Sequence, residues 1–145
     1  MSTETGKLLK QLKEQQERIR DLSLVIDETS NQVIITDAKG IIEWVNRGFT
    51  KATGFTLDEV KGQKPGHLLQ RKETNPQTVA EIREALQEGK SFQGTILNFK
   101  KNGTSYWNEL TINPVRDPYN YIVKFISISS DVTERIRKNE ELLFE

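Results

Sequence analysis

Apolar residues recur along this chain with a period that changes from segment to segment. Over residues 5 to 27 the sequence is charged and proline-free, and Leu8, Leu12, Ile19, Leu22 and Ile26 follow one another at steps of four, seven, three and four. That spacing is heptad-like and predicts one helix with a single apolar seam, in which Gln15 is the polar member. Such a stripe needs a partner: a second copy in a parallel dimer, or its own domain.

From Asn31 the period falls to two. Residues 32 to 36 and 41 to 46 alternate around the turn Asp37-Ala38-Lys39-Gly40, which predicts a hairpin. Residues 49 to 61 read as short helical turns broken at Gly54, with Thr56 and Asp58 placed to open the second. Asn75 and Pro76 open a helix over about residues 76 to 88, with Val79, Ile82 and Leu86 on one face and Gly89 at its end. Alternating strands follow over 91 to 101, 104 to 115 and 121 to 130, separated by Asn102-Gly103 and by the loop at Asp117-Pro118. Asp131 caps a last helix carrying Val132, Ile136, Leu142 and Leu143.

Too few strand–helix–strand units are present for a parallel sheet. The order predicts an α+β domain, a five-stranded antiparallel sheet with helices on one face and a flanking helix at each end. The divisions expected are an N-terminal helix over 1–27, a sensor domain over 28–131 and a linker helix over 132–145 leading to an output domain outside this chain.

With 145 residues the chain can bury one core, which points to one site. Twenty-one basic residues balance 21 acidic ones without a long block of either sign, so neither nucleic acid nor an anionic membrane is an expected partner. Cysteine is absent, which excludes disulfides, thiolate metal sites and thiol chemistry. Apolar runs are too short for a signal peptide or a spanning segment, and a cytoplasmic setting is the default expectation. No nucleophile–base pair or phosphate loop is evident, so no enzymatic activity is expected.

The stretch Asp37-Ala38-Lys39-Gly40-Ile41-Ile42, the run Trp44-Val45-Asn46-Arg47-Gly48-Phe49 with Thr53-Gly54-Phe55, and the ending Ser130-Asp131-Val132-Thr133-Glu134-Arg135 together resemble the PAS family. The segment Ile96 to Gly103, followed by Tyr106-Trp107-Asn108-Glu109-Leu110, resembles its flavin-binding LOV branch. That resemblance implies that Asn98 and Asn108 face a flavin ring, whose edge alternates acceptors with an N–H donor that a carboxamide can match. With Asn102-Gly103 as a two-residue turn, however, Asn98 faces Trp107 and Leu97 faces Asn108; placing the two amides on one face needs a wider turn, a bulge or a diagonal contact.

Light-sensing LOV domains carry a cysteine in a loop leading to a Phe-Leu-Gln triplet. Here Leu69-Gln70 matches the end of that motif, while the cysteine position falls on or beside Gly66 in a stretch one residue longer. A second departure is Ser129, where the light sensors have a glutamine facing the flavin. The resemblance therefore implies a redox-sensing flavin, FAD as in PAS proteins with a related Pro-Gly loop, or alternatively FMN. The expected contacts are Asn98, Asn108, Gln70, Leu69, Ser129 and Trp44, which either stacks on the flavin or is plain core. The only histidine, His67, lies outside the helix that supplies the axial ligand in haem PAS sensors. The alternative to a cofactor sensor is a cofactor-free dimerisation module.

Overall fold

The computed structural model describes residues 2–28 and 31–144. Helix α1 (Ser2–Glu28) leads to strands β1 (Gln32–Asp37) and β2 (Ile42–Val45), then to the short helices α2 (Arg47–Thr53), α3 (Leu57–Val60) and α4 (Pro65–Leu69). Helix α5 (Pro76–Gln87) precedes β3 (Phe92–Phe99), β4 (Ser105–Arg116) and β5 (Ile122–Asp131), and α6 (Thr133–Phe144) follows. The five strands form one antiparallel sheet in the order β2-β1-β5-β4-β3. The last strand therefore lies at the centre, between the first strand and the β3–β4 hairpin.

Polar side chains fix the connections. Asp37 folds the β1–β2 turn by accepting from the N–H groups of Lys39 (2.9 Å) and Ile41 (3.0 Å). Asn46 caps α2 by accepting from Phe49 N–H and also accepts from Val33 N–H, both at 2.9 Å, so one carboxamide ties the helix to β1. Helix α5 ends in a paired C-terminal motif: Gly89 N–H reaches Leu86 O at 3.2 Å and Lys90 N–H reaches Ala85 O at 2.8 Å, with Gly89 at φ 69°.

Helix α4 occupies a segment that reads as a Pro-Gly loop in the sequence. Its first residue is Pro65, whose fixed φ and missing N–H suit the start of a helix, while Lys64 gives no side-chain cap. Only Leu69 of this helix is buried, so the apolar signal is too thin to announce it.

The core has two parts. Ile34, Ile42, Val45, Phe49, Val60 and Leu69 pack under α2 to α4, and Ile96, Leu110, Ile112 and Phe125 pack under the Val79, Ile82 and Leu86 face of α5. Along α1, by contrast, Leu8, Leu12, Ile19 and Leu22 are 55–64% exposed, while the side chain of Ile26 lies outside the described residues. Among the described residues no helix is long and apolar enough to cross a membrane.

The β3–β4 hairpin departs from the two-residue turn that Asn102-Gly103 suggests. Lys100 N–H bonds to Thr104 O at 2.8 Å and Gly103 N–H to Lys100 O at 2.9 Å, which leaves Lys101, Asn102 and Gly103 as a three-residue loop. The cause lies outside the hairpin: Lys101 N–H is taken by Thr53 O of α2 at 2.8 Å, and Gly103 adopts φ 89°. Asn98 is thereby placed opposite Tyr106, and Ile96 opposite Asn108, one step from the pairing the shorter turn implies.

Candidate functional site

That one-step shift turns Asn98, Tyr106 and Asn108 to the same side of the sheet. On this inner face they join Gln32 and Ile34 of β1, Leu110 and Ile112 of β4, and Phe125, Ser127 and Ser129 of β5. Opposite them stand α4, α5 and the β1–β2 turn. Sheet, helices and turn enclose a cavity of about 530 Å³, within the usual range for a small-molecule site.

Its walls are apolar at Ile34, Leu69, Val79, Ile82, Leu86, Ile96, Leu110, Ile112 and Phe125. Polar groups enter at Asn98, Asn108, Ser127 and Ser129, and the charged lining residues are Lys39, Lys64 and Arg83, with His67 beside them. No carboxylate lines it among the described residues.

The two asparagines are buried and bonded to each other. Asn108 Nδ2 donates to Asn98 Oδ1 at 3.0 Å, and Asn98 Nδ2 donates to the carbonyl of Leu69 at 3.3 Å. Behind them, Gln32 Nε2 donates to Asn108 Oδ1 at 3.5 Å, and the Tyr106 hydroxyl donates to Gln32 Oε1 at 3.4 Å. Burial pushes the Tyr106 phenol well above its ordinary pKa, and the negative charge of Asp131 adds to the effect, so Tyr106 is a neutral donor at any physiological pH.

Most of the expected site residues converge. Leu69 contributes a wall and its carbonyl, Gln70 lies on the lining with its amide packed over Gly66, and Ser129 sits between Gln32 and Leu110 in the ladder. Trp44 does not converge. It pairs with Ile35, whose neighbours Ile34 and Thr36 take the inner face, so the indole stands on the outer side of the sheet, away from the cavity. His67 lies on α4 at the cavity lining, and among the described residues no cluster of side chains could hold a metal.

Two buried members of the polar group, Gln32 and Tyr106, are absent from the sequence-level site. A signal existed for Gln32: it is the single amide beside Val33-Ile34-Ile35, at a position where alternation puts it inside. Tyr106 carries no such mark, because an aromatic residue in a strand reads as core.

Comparison with known proteins fits this arrangement. A family model described as PAS domain matches residues 30–134. The chain belongs to the PAS family. This PAS domain is 41% identical over 104 residues to the blue-light photoreceptor of Listeria innocua serovar 6a, covering 70% of the chain and 40% of that protein. It superposes on the dark structure of the blue-light photoreceptor Aureochrome1 LOV with a TM-score of 0.69 at 32% identity, over 79% of the chain and 86% of that structure. It likewise matches a structure described as "Flavin Analogue Sheds Light on Light-Oxygen-Voltage Domain Mechanism", with a TM-score of 0.68 and 30% identity over 77% of the chain and 87% of that one. The PAS domain spans less than half the length of the curated relatives it matches. The five-stranded antiparallel sheet with flanking helices expected from the sequence is thus the fold observed.

Proposed function

We propose that this PAS domain binds a flavin in the 530 Å³ cavity, senses its redox state, and passes that state to the flanking helices of a homodimer. The observation that carries this is the pair of buried carboxamides, Asn98 and Asn108, side by side on the polar end of an otherwise apolar chamber. An isoalloxazine offers a flat apolar body and an edge of alternating donors and acceptors, which matches such a chamber.

FMN fits better than the FAD expected from the sequence. The relatives give the dinucleotide no support, and a cationic lining of Lys39, Lys64 and Arg83 without a carboxylate suits a terminal phosphate, whereas an adenosine would have to project beyond the rim. A bound flavin supplies reversible redox chemistry, with a change of protonation at its central ring nitrogen. Asn98 and Asn108 hold and read the ring edge; Val79, Ile82, Leu110 and Phe125 exclude water from its faces. With no cysteine in the chain, attachment through sulfur does not occur. The domain carries no catalysis of its own and serves an output domain elsewhere in a longer protein.

The exit route is short. Asp131 ends β5 and accepts from Thr133 N–H at 2.9 Å, and the Thr133 hydroxyl accepts from Trp107 N–H at 2.9 Å, next to Asn108. A change of hydrogen bonding at Asn108 therefore lies one residue from the start of α6.

A cofactor-free dimerisation module is the second reading, favoured by the amides' satisfying one another: among the described residues every buried side-chain nitrogen and oxygen has a partner. Purification followed by an absorption spectrum separates the two. Flavin bands, with FMN released on denaturation, are expected, and Asn98→Ala or Asn108→Ala should weaken binding by roughly tenfold or more each. A colourless protein that stays colourless after refolding with FMN and with FAD would sink the flavin reading.

A further inference from the structure

The buried polar groups form a chain with a direction. It runs from the Tyr106 hydroxyl to Gln32, to Asn108, to Asn98 and ends on the Leu69 carbonyl, with every link donating the same way. A carboxamide can be turned end for end, so three in series could adopt either sense. The Leu69 end decides. A backbone carbonyl only accepts, so Asn98 must present its nitrogen there, its oxygen must then accept from Asn108, and the oxygen of Asn108 must accept from Gln32. The last oxygen, on Gln32, needs a donor, and the phenol provides one.

The carbonyl end thus sets the sense, and the phenol, which can donate or accept, completes it by donating to Gln32. Turning either asparagine sets oxygen against oxygen on one side and N–H against N–H on the other, a costly loss for buried amides. We propose that Gln32 and Tyr106 are positioning residues that hold Asn98 and Asn108 in the donor–acceptor order set by the Leu69 carbonyl, which fixes the hydrogen-bond pattern the cavity wall presents to its ligand. Neither lines the cavity; they act through Asn108. The links at Gln32, 3.4 and 3.5 Å, and the one to Leu69, 3.3 Å, are longer than the 3.0 Å between the asparagines. One N–H and one lone pair of each asparagine amide remain for a ligand. With the order fixed, a ligand edge offering the matching acceptor and donor is accepted, and its mirror arrangement is rejected.

Only the identity of the ligand rests on the flavin reading, so the test begins without flavin. In the ligand-free protein, side-chain amide NMR resonances of Gln32, Asn108 and Asn98 are compared between wild type and Tyr106→Phe, which removes one hydroxyl from a buried ring. The expected result is a shift at all three, largest at Gln32 and smallest at Asn98, where the Leu69 carbonyl still holds. A change confined to Gln32, or one larger at Asn98 than at Asn108, would overturn the proposal, because Asn98 is the cross-strand partner of Tyr106 and feels a merely local change directly. Gln32→Met carries the same test at Asn108 and Asn98 if Tyr106→Phe does not fold. In FMN-loaded protein, the same variants should shift the flavin carbonyl vibrations; unchanged vibrations with shifted amides would leave the chain intact and remove FMN as what it reads.

Discussion

Glu59, on the first turn of α3, answers two neighbours at once. Its Oε1 accepts from the N–H and the hydroxyl of Thr56, both at 3.0 Å, and its Oε2 pairs with Lys101 Nζ at 2.5 Å. The Lys101 hydrogen bond first, then those from Thr56, hold the carboxyl at about 2, below its ordinary 4.5. A depressed carboxyl stabilises the fold above its unfolded pKa, and the contribution fades as pH falls from 4.5 through about 2. The group is solvent-exposed, so the effect is modest and screened by salt. Melting temperature against pH should therefore be less steep over that window in Glu59→Gln, which keeps an acceptor for Thr56; an unchanged slope would show that the ion pair contributes nothing. At this scale the sequence is partly legible. Asn98 and Asn108 are recognisable from residue type within one hairpin, whereas Gln32 meets Tyr106 and Asn108 across 74 and 76 residues, and only the pairing of β1 and β4 on either side of β5 brings them together.

The elements themselves are written in local signals, and these succeed where capping and turn chemistry act alone. Gly89 is such a case: it ends α5 at φ 69°, and a Cβ there would come within 2.7 Å of Ile122 Cδ1 and 2.9 Å of Arg116 Nη2. Arg116 in turn donates to Gly89 O at 3.1 Å and to Asn120 O at 2.8 Å, joining the end of α5 to the β4–β5 loop. Gly89→Ala should cost about 1–2 kcal/mol in a denaturant melt from the left-handed backbone. No change in midpoint would mean that this turn relaxes freely. The β3–β4 register shows the opposite situation. Asn102-Gly103 correctly marks a hairpin, yet the loop takes three residues because Thr53 of α2 claims the amide of Lys101, a tertiary contact that no window around the turn contains. The same contact moves the site, since it sets Asn98 and Asn108 on one face. Trp44 faces away from the cavity for a related reason: which face of β2 turns inward depends on its pairing with β1, where Val45 rather than Trp44 meets Ile34.

At the scale of the whole molecule, α1 is the element whose sequence and surroundings disagree most. Its 27 residues extend about 40 Å. Leu8, Leu12, Ile19 and Leu22 repeat with heptad spacing and yet are all exposed in the single chain. Four large apolar side chains on one seam, left in water, forgo most of the free energy their burial would give, on the order of 1.5–3 kcal/mol each. Alignment of two copies in parallel would bury the seam, with Gln15 facing Gln15 to fix the register. The full chain should therefore sediment as a dimer, and Leu12→Glu with Ile19→Glu should sediment as a monomer with an unchanged near-ultraviolet spectrum, because the substitutions touch none of the core. A double variant that remains dimeric would move the interface to the outer face of the sheet, where Trp107 and Ile128 are exposed. The two outcomes carry different consequences for signalling. A dimer held by α1 connects to the cavity through β1, the strand that bears Gln32, so ligand state would reach the dimer seam through Gln32 and α6 through its neighbour in the amide chain, Asn108.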